Sequence, residues 1–182
     1  MFKDKTIALG ITSCSNAYKA AELASQLVKK GADVKVIMTE NATQFIGPLT
    51  LRNITKNPVV YDSFGTPPSA EVRKEKISED LDVLLIAPAT ANTIGKAANG
   101  IADNLLLTTI LSTDAPVIFV PQMNPRMYGK PAVQRNIAQL KADGYFVLEE
   151  SRVAAEGRII GGSMPDLEKI LAYVAGVLKS DG

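Results

Sequence analysis

The sequence predicts an α/β fold of three layers, with helices on both faces of a doubly wound parallel sheet, and three observations carry that prediction. Thr6–Ile11, Asp82–Ala87 and Ala115–Val120 are short, almost unbroken apolar runs, the pattern of strands buried on both faces. Stretches with apolar residues at helical spacing alternate with them, which is the order of βαβ units joined by right-handed crossovers. Hydrophobic residues make up 46% and charged residues 21% of the 182 positions. That is enough apolar material for one sizeable core, so residues 1–182 are expected to form one domain.

Each element follows in turn. After Thr6–Ile11 comes a polar loop, Thr12–Asn16, and then a helical pattern from Ala17 to about Lys30 with Ala21, Leu23, Ala24, Leu27 and Val28 on its apolar stripe. Asn16 is placed to cap that helix and Gly31 to stop it. Asp33–Met38 reads as the next strand, Thr39–Phe45 as a short capped helix, Pro48 to about Thr55 as another helix, and Val59–Tyr61 as a short strand. From Asp62 to about Ser78 the chain is polar, with Gly65, Pro67 and Pro68, and reads as a surface loop able to close over a ligand. Pro88–Asn92 turns into helical material reaching Gly100, and Asp103 to about Ser112 forms a second apolar helix. Pro131–Ala142 is amphipathic and ends at Gly144, Tyr145–Leu148 is the last clear strand, Glu150–Gly162 reads as loop, and Asp166–Leu178 as a terminal helix.

Composition excludes several kinds of function. Twenty basic and 19 acidic residues leave a net charge of +1, and no basic block marks a nucleic-acid footprint. The longest apolar stretches are far shorter than a membrane span, and no secretory signal opens the sequence. A single cysteine, Cys14, excludes an internal disulfide. The chain therefore reads as cytoplasmic. It contains no histidine, so neither a Ser-His-Asp nor a Cys-His nucleophile system can be built within it, and no metal site is expected.

In an open parallel sheet, ligands collect beyond the carboxyl ends of the strands. Four segments lie at such ends: Thr12–Asn16, Thr39–Thr43, Pro88–Asn92 and Pro121–Asn124. The first two carry hydroxyls and amides just before helix N-termini, where backbone N–H groups and the helix dipole favour an anion such as a phosphate. Simple helix capping accounts for each of these loops equally well when it is taken alone. No G-x-G-x-x-G follows the first strand, so a mononucleotide is expected rather than a dinucleotide. In Ala87-Pro-Ala-Thr-Ala-Asn92 the small residues would let a flat ring approach the backbone, and Thr90 and Asn92 offer hydrogen bonds.

Three segments, Ala87-Pro-Ala-Thr-Ala-Asn-Thr-Ile-Gly-Lys96, Asn99-Gly-Ile-Ala-Asp-Asn-Leu-Leu106 and Pro121-Gln-Met-Asn-Pro-Arg-Met-Tyr128, closely resemble the signature segments of the flavin-containing cysteine decarboxylases. That family includes phosphopantothenoylcysteine decarboxylase and the enzymes that decarboxylate lantibiotic precursor peptides. Gly10–Lys19 and Val36–Phe45 also look like its phosphate-side loops, and the likeness runs from about Lys5 to the final helix. The resemblance implies a Rossmann-like subunit with FMN as cofactor, assembled as homotrimers or trimer-based homododecamers, acting on a small-molecule or peptide substrate. It places Ser13, Cys14 and Ser15 in the first phosphate-side loop, and Thr39, with Phe45 beyond it, in the second. Pro88, Ala89, Thr90, Ala91, Asn92 and Thr93 fall in the segment lining the flavin. Asp103 and Asn104 fall at the start of the flavin-side helix, and Gln122 where a small residue near the flavin is usual. Asn124 matches the asparagine that holds the substrate carboxylate, and Met127 is its neighbour in the motif.

In the family reaction, flavin oxidises the cysteine side chain to a thioaldehyde, which activates the adjacent carboxylate for loss as carbon dioxide. A histidine eight residues before the strand's aspartate assists; counted back from Asp82, that position holds Lys74, with Ile77 at the following leucine. A lysine near its ordinary pKa of about 10.4 is a poor base at neutral pH, although burial can lower it. In the run Arg73–Lys76 it equally suits a solvated surface, as do Glu71, Glu75 and Glu79. The late flap cysteine of some members also has no counterpart, Ala155 being nearest. Cys14 takes a place usually held by serine, which fits a packing or cofactor contact better than a nucleophile.

Three functions remain open from these residues: a flavin-dependent redox enzyme with non-standard catalytic residues, an oxidative decarboxylase of a cysteine-ended peptide or phosphopantothenoylcysteine-like substrate, and a non-catalytic regulatory subunit.

Overall fold

A computed structural model describes residues 1–61, 80–150, 152, 153 and 159–180. Its framework is a six-stranded parallel sheet of β1 (Thr6–Ile11), β2 (Asp33–Met38), β3 (Val59–Tyr61), β4 (Val83–Ala89), β5 (Val117–Pro121) and β6 (Phe146–Val147), in the spatial order β3-β2-β1-β4-β5-β6. The order reverses between β1 and β4. Ligands of such sheets bind beyond that switch point.

Strand side chains alternate between faces, which is why the strands can be apolar throughout. Ile7, Leu9 and Ile11 of β1 face one layer with Val36 and Leu85. There they pack on α1 (Lys19–Lys29), α2 (Pro48–Thr55) and α7 (Leu167–Ser180) through Leu23, Leu51 and Val174. Ala8, Leu84, Ile86 and Phe119 face the other layer, formed by α3 (Ala91–Ala98), α4 (Leu105–Ser112) and α6 (Pro131–Ala142) through Ile94, Leu106 and Leu140. Each such residue, fully buried, contributes about 1.5–3 kcal/mol from burial.

Helix ends follow the expected chemistry in places and depart from it in others. Gly31 and Gly144 adopt φ +97° and +90° beyond α1 and α6, a conformation glycine takes without a Cβ penalty. Asn16 does not cap α1. Cys14 stands extended before a 3-10 turn, Ser15–Tyr18, and α1 begins only at Lys19, so Asn16 lies inside the tightened turn. The second short helix is likewise a 3-10 turn, Glu40–Gln44. Within Glu150–Gly162, expected as loop, β7 (Arg152–Val153) and β8 (Ile159–Ile160) pair antiparallel; two-residue strands are too short for alternation to reveal. A four-residue turn of helix, α5 (Pro125–Tyr128), follows β5. Lys74, Ala155, Glu71, Glu75, Glu79 and the expected closing loop at 62–78 lie outside the described residues.

Candidate functional site

At the switch point the loops after β1, β2 and β4 converge, and Thr12 joins two of them. Its backbone N–H donates to the Pro88 carbonyl (3.3 Å), its Oγ1 donates to the same carbonyl (2.8 Å), and Oγ1 accepts from the Thr90 N–H (3.0 Å). Thr12 is 1% exposed, so both hydroxyl bonds are shielded from water. The β4–β5 register shifts between Ile86 and Ala89. Irregularities of this kind re-aim the chain near binding sites, and here the chain leads directly into Thr90. The Ala87–Pro88 peptide is cis.

These loops enclose an open cleft of about 260 Å³. Ser13 enters it from β1, Thr39 with Glu40 and Asn41 from β2, and Thr90, Asn92, Thr93 and Lys96 from β4 and α3. Asp103 and Asn104 close it from the start of α4. Asn104 caps that helix, its Oδ1 accepting from the Leu107 N–H at 3.0 Å. The Lys96 ammonium donates to the Asp103 carboxylate, an ion pair on the cleft's rim. Thr90 precedes α3 in extended conformation without a side-chain cap, its hydroxyl lying 3.4 Å from that of Thr93. The first N–H groups of α3 therefore keep the affinity for anions of an uncapped helix start.

Thr39 supplies the most telling atom. It occupies the N-cap position of its 3-10 turn without capping it, and its Oγ1 is buried with no hydrogen-bond partner among the described residues. Such an orphan costs about 1–3 kcal/mol unless something bonds it.

Other expected residues stand around the cleft rather than on its lining. Pro88 and Ala89 are buried behind it, Ala91 is half-buried on α3, and Ser15 and Phe45 are exposed. Cys14 is half-buried; burial pushes its thiol up from the ordinary value, outweighing bonds from the backbone of Asn16 and Ala17 that lower it. It is a poor nucleophile at neutral pH. Gln122 is occupied structurally: its N–H donates to the Ala89 carbonyl (2.8 Å) and its Oε1 accepts from the Met164 N–H (2.8 Å). Asn124 is exposed at the head of α5, its Oδ1 accepting from the Arg126 N–H at 2.8 Å, and Met127 is half exposed on the same turn.

Sequence reasoning left Thr12, Glu40, Asn41 and Lys96 without individual roles. Lys96 had a readable signal, lying four residues after Asn92 and so on the same face of α3. Among the described residues, no cluster of three or more metal-ligating side chains occurs, and no helix is long and apolar enough to cross a membrane.

The model of the Flavoprotein family matches residues 1–179. The chain belongs to that family. It is 41% identical over 172 residues to the coenzyme A biosynthesis bifunctional protein CoaBC of Bacillus subtilis, covering 94% of this chain and 42% of the relative. The chain thus spans about two fifths of that relative's length. It is 39% identical over 173 residues to a probable phosphopantothenoylcysteine decarboxylase of Streptococcus mutans, covering 93% of this chain and 97% of the relative. Among solved structures, the FMN-dependent cysteine decarboxylase SpaF superposes with a TM-score of 0.81 at 28% identity, each chain covered in full. The Flavoprotein fold is thus the αβα sheet described above.

Proposed function

We propose that this member of the Flavoprotein family binds FMN in the switch-point cleft and oxidatively decarboxylates a substrate ending in a cysteine, either a peptide or a phosphopantothenoylcysteine-like small molecule. The observation that carries the reading is the partnerless Thr39 hydroxyl, buried at the cleft. Together with Ser13 it would donate to the cofactor's phosphate, and bonding there removes the desolvation cost of the orphan. Thr90, Asn92 and Thr93 would hold the rest of the cofactor against the small residues at the end of β4. The fit is that of a mononucleotide: hydroxyls, amides and helix N–H groups around a cleft without a glycine-rich dinucleotide turn.

Bound FMN supplies the two-electron acceptor for oxidising the thiol-bearing carbon. The chain's own contribution on the substrate side is Asn124. Because its Oδ1 is committed to the Arg126 N–H, its Nδ2 is the group left to donate to a substrate carboxylate. No histidine is available in the whole sequence, so proton transfer falls to another group, Lys74 or the substrate's own thiol and carboxylate. That absence favours a second reading, a flavin-dependent redox step that stops short of decarboxylation.

Exposed Tyr18, Phe45 and Met127 follow β1, β2 and β5, and exposed Ile101 lies in the connection between α3 and α4, two residues before Asp103. They support self-association of the subunit around the cleft, as the trimer or dodecamer expected above.

The test is a flavin titration followed by turnover. The protein should quench FMN fluorescence stoichiometrically, and a panel of cysteine-ended peptides and phosphopantothenoylcysteine should release carbon dioxide with formation of an enethiol. Protein that takes up no flavin sinks both readings. Full flavin occupancy, substrate-dependent bleaching and no carbon dioxide select the second.

A further inference from the structure

The turn that carries Asn124 is built around Tyr128, and this tyrosine touches both feet of the β7–β8 pair. On the entering side its hydroxyl donates to the Glu149 carboxylate, which also accepts from the Lys141 ammonium. On the leaving side its ring lies against bare backbone. A Cβ at Gly161 would come 2.6 Å from Tyr128 Cε1 and 2.8 Å from the Glu150 carbonyl oxygen, and one at Gly162 would come 2.9 Å from Tyr128 Cβ. Only glycine admits the ring at this distance. Gly162 also has φ +83°, unfavourable for any other residue.

Two further bonds tie the same segments: Met123 N–H to the Gly162 carbonyl at 2.7 Å, and Met164 N–H to Gln122 Oε1 at 2.8 Å. The turn itself is closed by the Tyr128 N–H donating to the Asn124 carbonyl at 3.0 Å. Tyr128 is fully buried, and Gln134 Nε2 donates to its carbonyl at 2.7 Å. The ring is therefore locked at both ends.

We propose that Tyr128 is a positioning residue that sets the spacing between Asn124 and the feet of the β7–β8 pair, and so fixes the substrate end of the site independently of the cofactor cleft. Its hydroxyl and ring meet the two feet, and its backbone closes the Asn124 turn and accepts from Gln134 of α6, whereas the cleft is lined from the loops after β1, β2 and β4, from α3 and from the start of α4. Removing the hydroxyl should disturb both feet and the turn together and leave the cleft intact.

The inference rests on Asn124 serving the substrate, so the experiment has one arm that needs no substrate. In hydrogen exchange of the flavin-loaded protein, Tyr128→Phe should speed exchange at Met123, Met164 and the Arg126–Tyr128 amides together, by about tenfold. Exchange in β1 and β4 and the affinity for FMN should stay within twofold. Gly161→Ala should reproduce the pattern by overpacking, and Glu149→Gln alone, which keeps an acceptor for the Tyr128 hydroxyl, should leave exchange near normal. Acceleration confined to the Tyr128 amide, or spread evenly over the chain, overturns the proposal. The second arm measures binding of a synthetic pentapeptide ending in cysteine: Tyr128→Phe should weaken it about tenfold at unchanged flavin affinity. Unchanged peptide affinity also overturns it. If the unsubstituted protein binds no such peptide, the peptide half of the proposed substrate class fails, while the exchange arm still decides whether Tyr128 sets the spacing.

Discussion

Replacing Thr12 by valine removes a hydroxyl and nothing else of consequence, because the two side chains share a shape. Two buried bonds are lost, the one donated to the Pro88 carbonyl and the one accepted from the Thr90 N–H. The carbonyl keeps its bond from the Thr12 N–H, so its loss falls near the lower end of the range for a hydrogen bond, about 0.5–1 kcal/mol. The Thr90 N–H has no such reserve. Leaving it without a partner costs about 1–3 kcal/mol, toward the lower figure because Thr90 is only half-buried. The expected destabilisation is about 1.5–2 kcal/mol, a fall in Tm of roughly 3–8 °C for a chain of this size. Differential scanning calorimetry of the flavin-free protein reads it directly. Thr12→Ser, which keeps both bonds, should stay within about 1 kcal/mol of the original. The variant should also bind FMN more weakly, since the loop bearing Thr90 and Asn92 is no longer held to β1. A valine variant as stable as the original, or a serine variant as damaged as the valine one, would refute the joint.

Thr39→Val tests the orphan hydroxyl: flavin-free stability should hold or rise by up to about 1 kcal/mol, while FMN affinity, measured by fluorescence quenching, falls about tenfold or more. Loss of stability without loss of affinity would assign the hydroxyl a structural partner instead. Gly10→Ala places a Cβ 2.7 Å from Leu106 Cδ1 and should cost about 1–3 kcal/mol by overpacking, with Gly10→Ala/Leu106→Val recovering part of it in urea denaturation. At the opposite end of the sheet, burial alone would raise the Asp82 carboxyl, but the Lys5 ammonium at 2.6 Å and the Thr6 N–H hold it below its ordinary value. A lowered folded-state pKa stabilises above the unfolded value and is lost as pH falls through the folded one. The advantage of the original protein over Asp82→Asn should therefore be level at neutral pH, amount to no more than about 1 kcal/mol because the pair is partly solvated, and vanish as pH falls through the lowered folded-state value. An advantage that grows on acidification would contradict this.

How much of this could be read from residues alone depends on the range over which each signal acts. The strands were legible because burial on both faces demands unbroken apolar runs, and Gly31 and Gly144 marked helix ends because their positive φ values suit glycine. The carboxyl-end loops were legible as a group, since their hydroxyls sit directly after those runs. What Thr12 does was not. Its partner Pro88 is 76 positions away, and a threonine in a loop carries no mark of what the fold brings beside it. Thr39 looked like a cap and instead leaves its hydroxyl unbonded, a distinction of one side-chain torsion. Gln122, expected near the flavin, is drawn into a bond with the Met164 N–H that only the return of the chain after β8 makes possible.

The proposed site divides into a cofactor seat and a reactive end, and the chain treats them differently. The seat is made from strand-end backbone and short hydroxyl side chains on β1, β2 and β4, held in place by the sheet, so it survives as long as the sheet does. The substrate turn is fastened to that seat through β4 and β5, where Ala89 pairs with Pro121 and its carbonyl accepts from the Gln122 N–H. By contrast, the position that would bear the family's histidine falls in sequence between β3 and β4, apart in the chain from the residues that line the cleft and from Asn124. A lysine at that position leaves the residues of the proposed cofactor seat and of the Asn124 turn as they are. Proton handling is thus separable in sequence from the cleft and from the Asn124 turn, so a chain without histidine can still carry Ser13, Thr39, Thr90 and Asn92 at its strand ends.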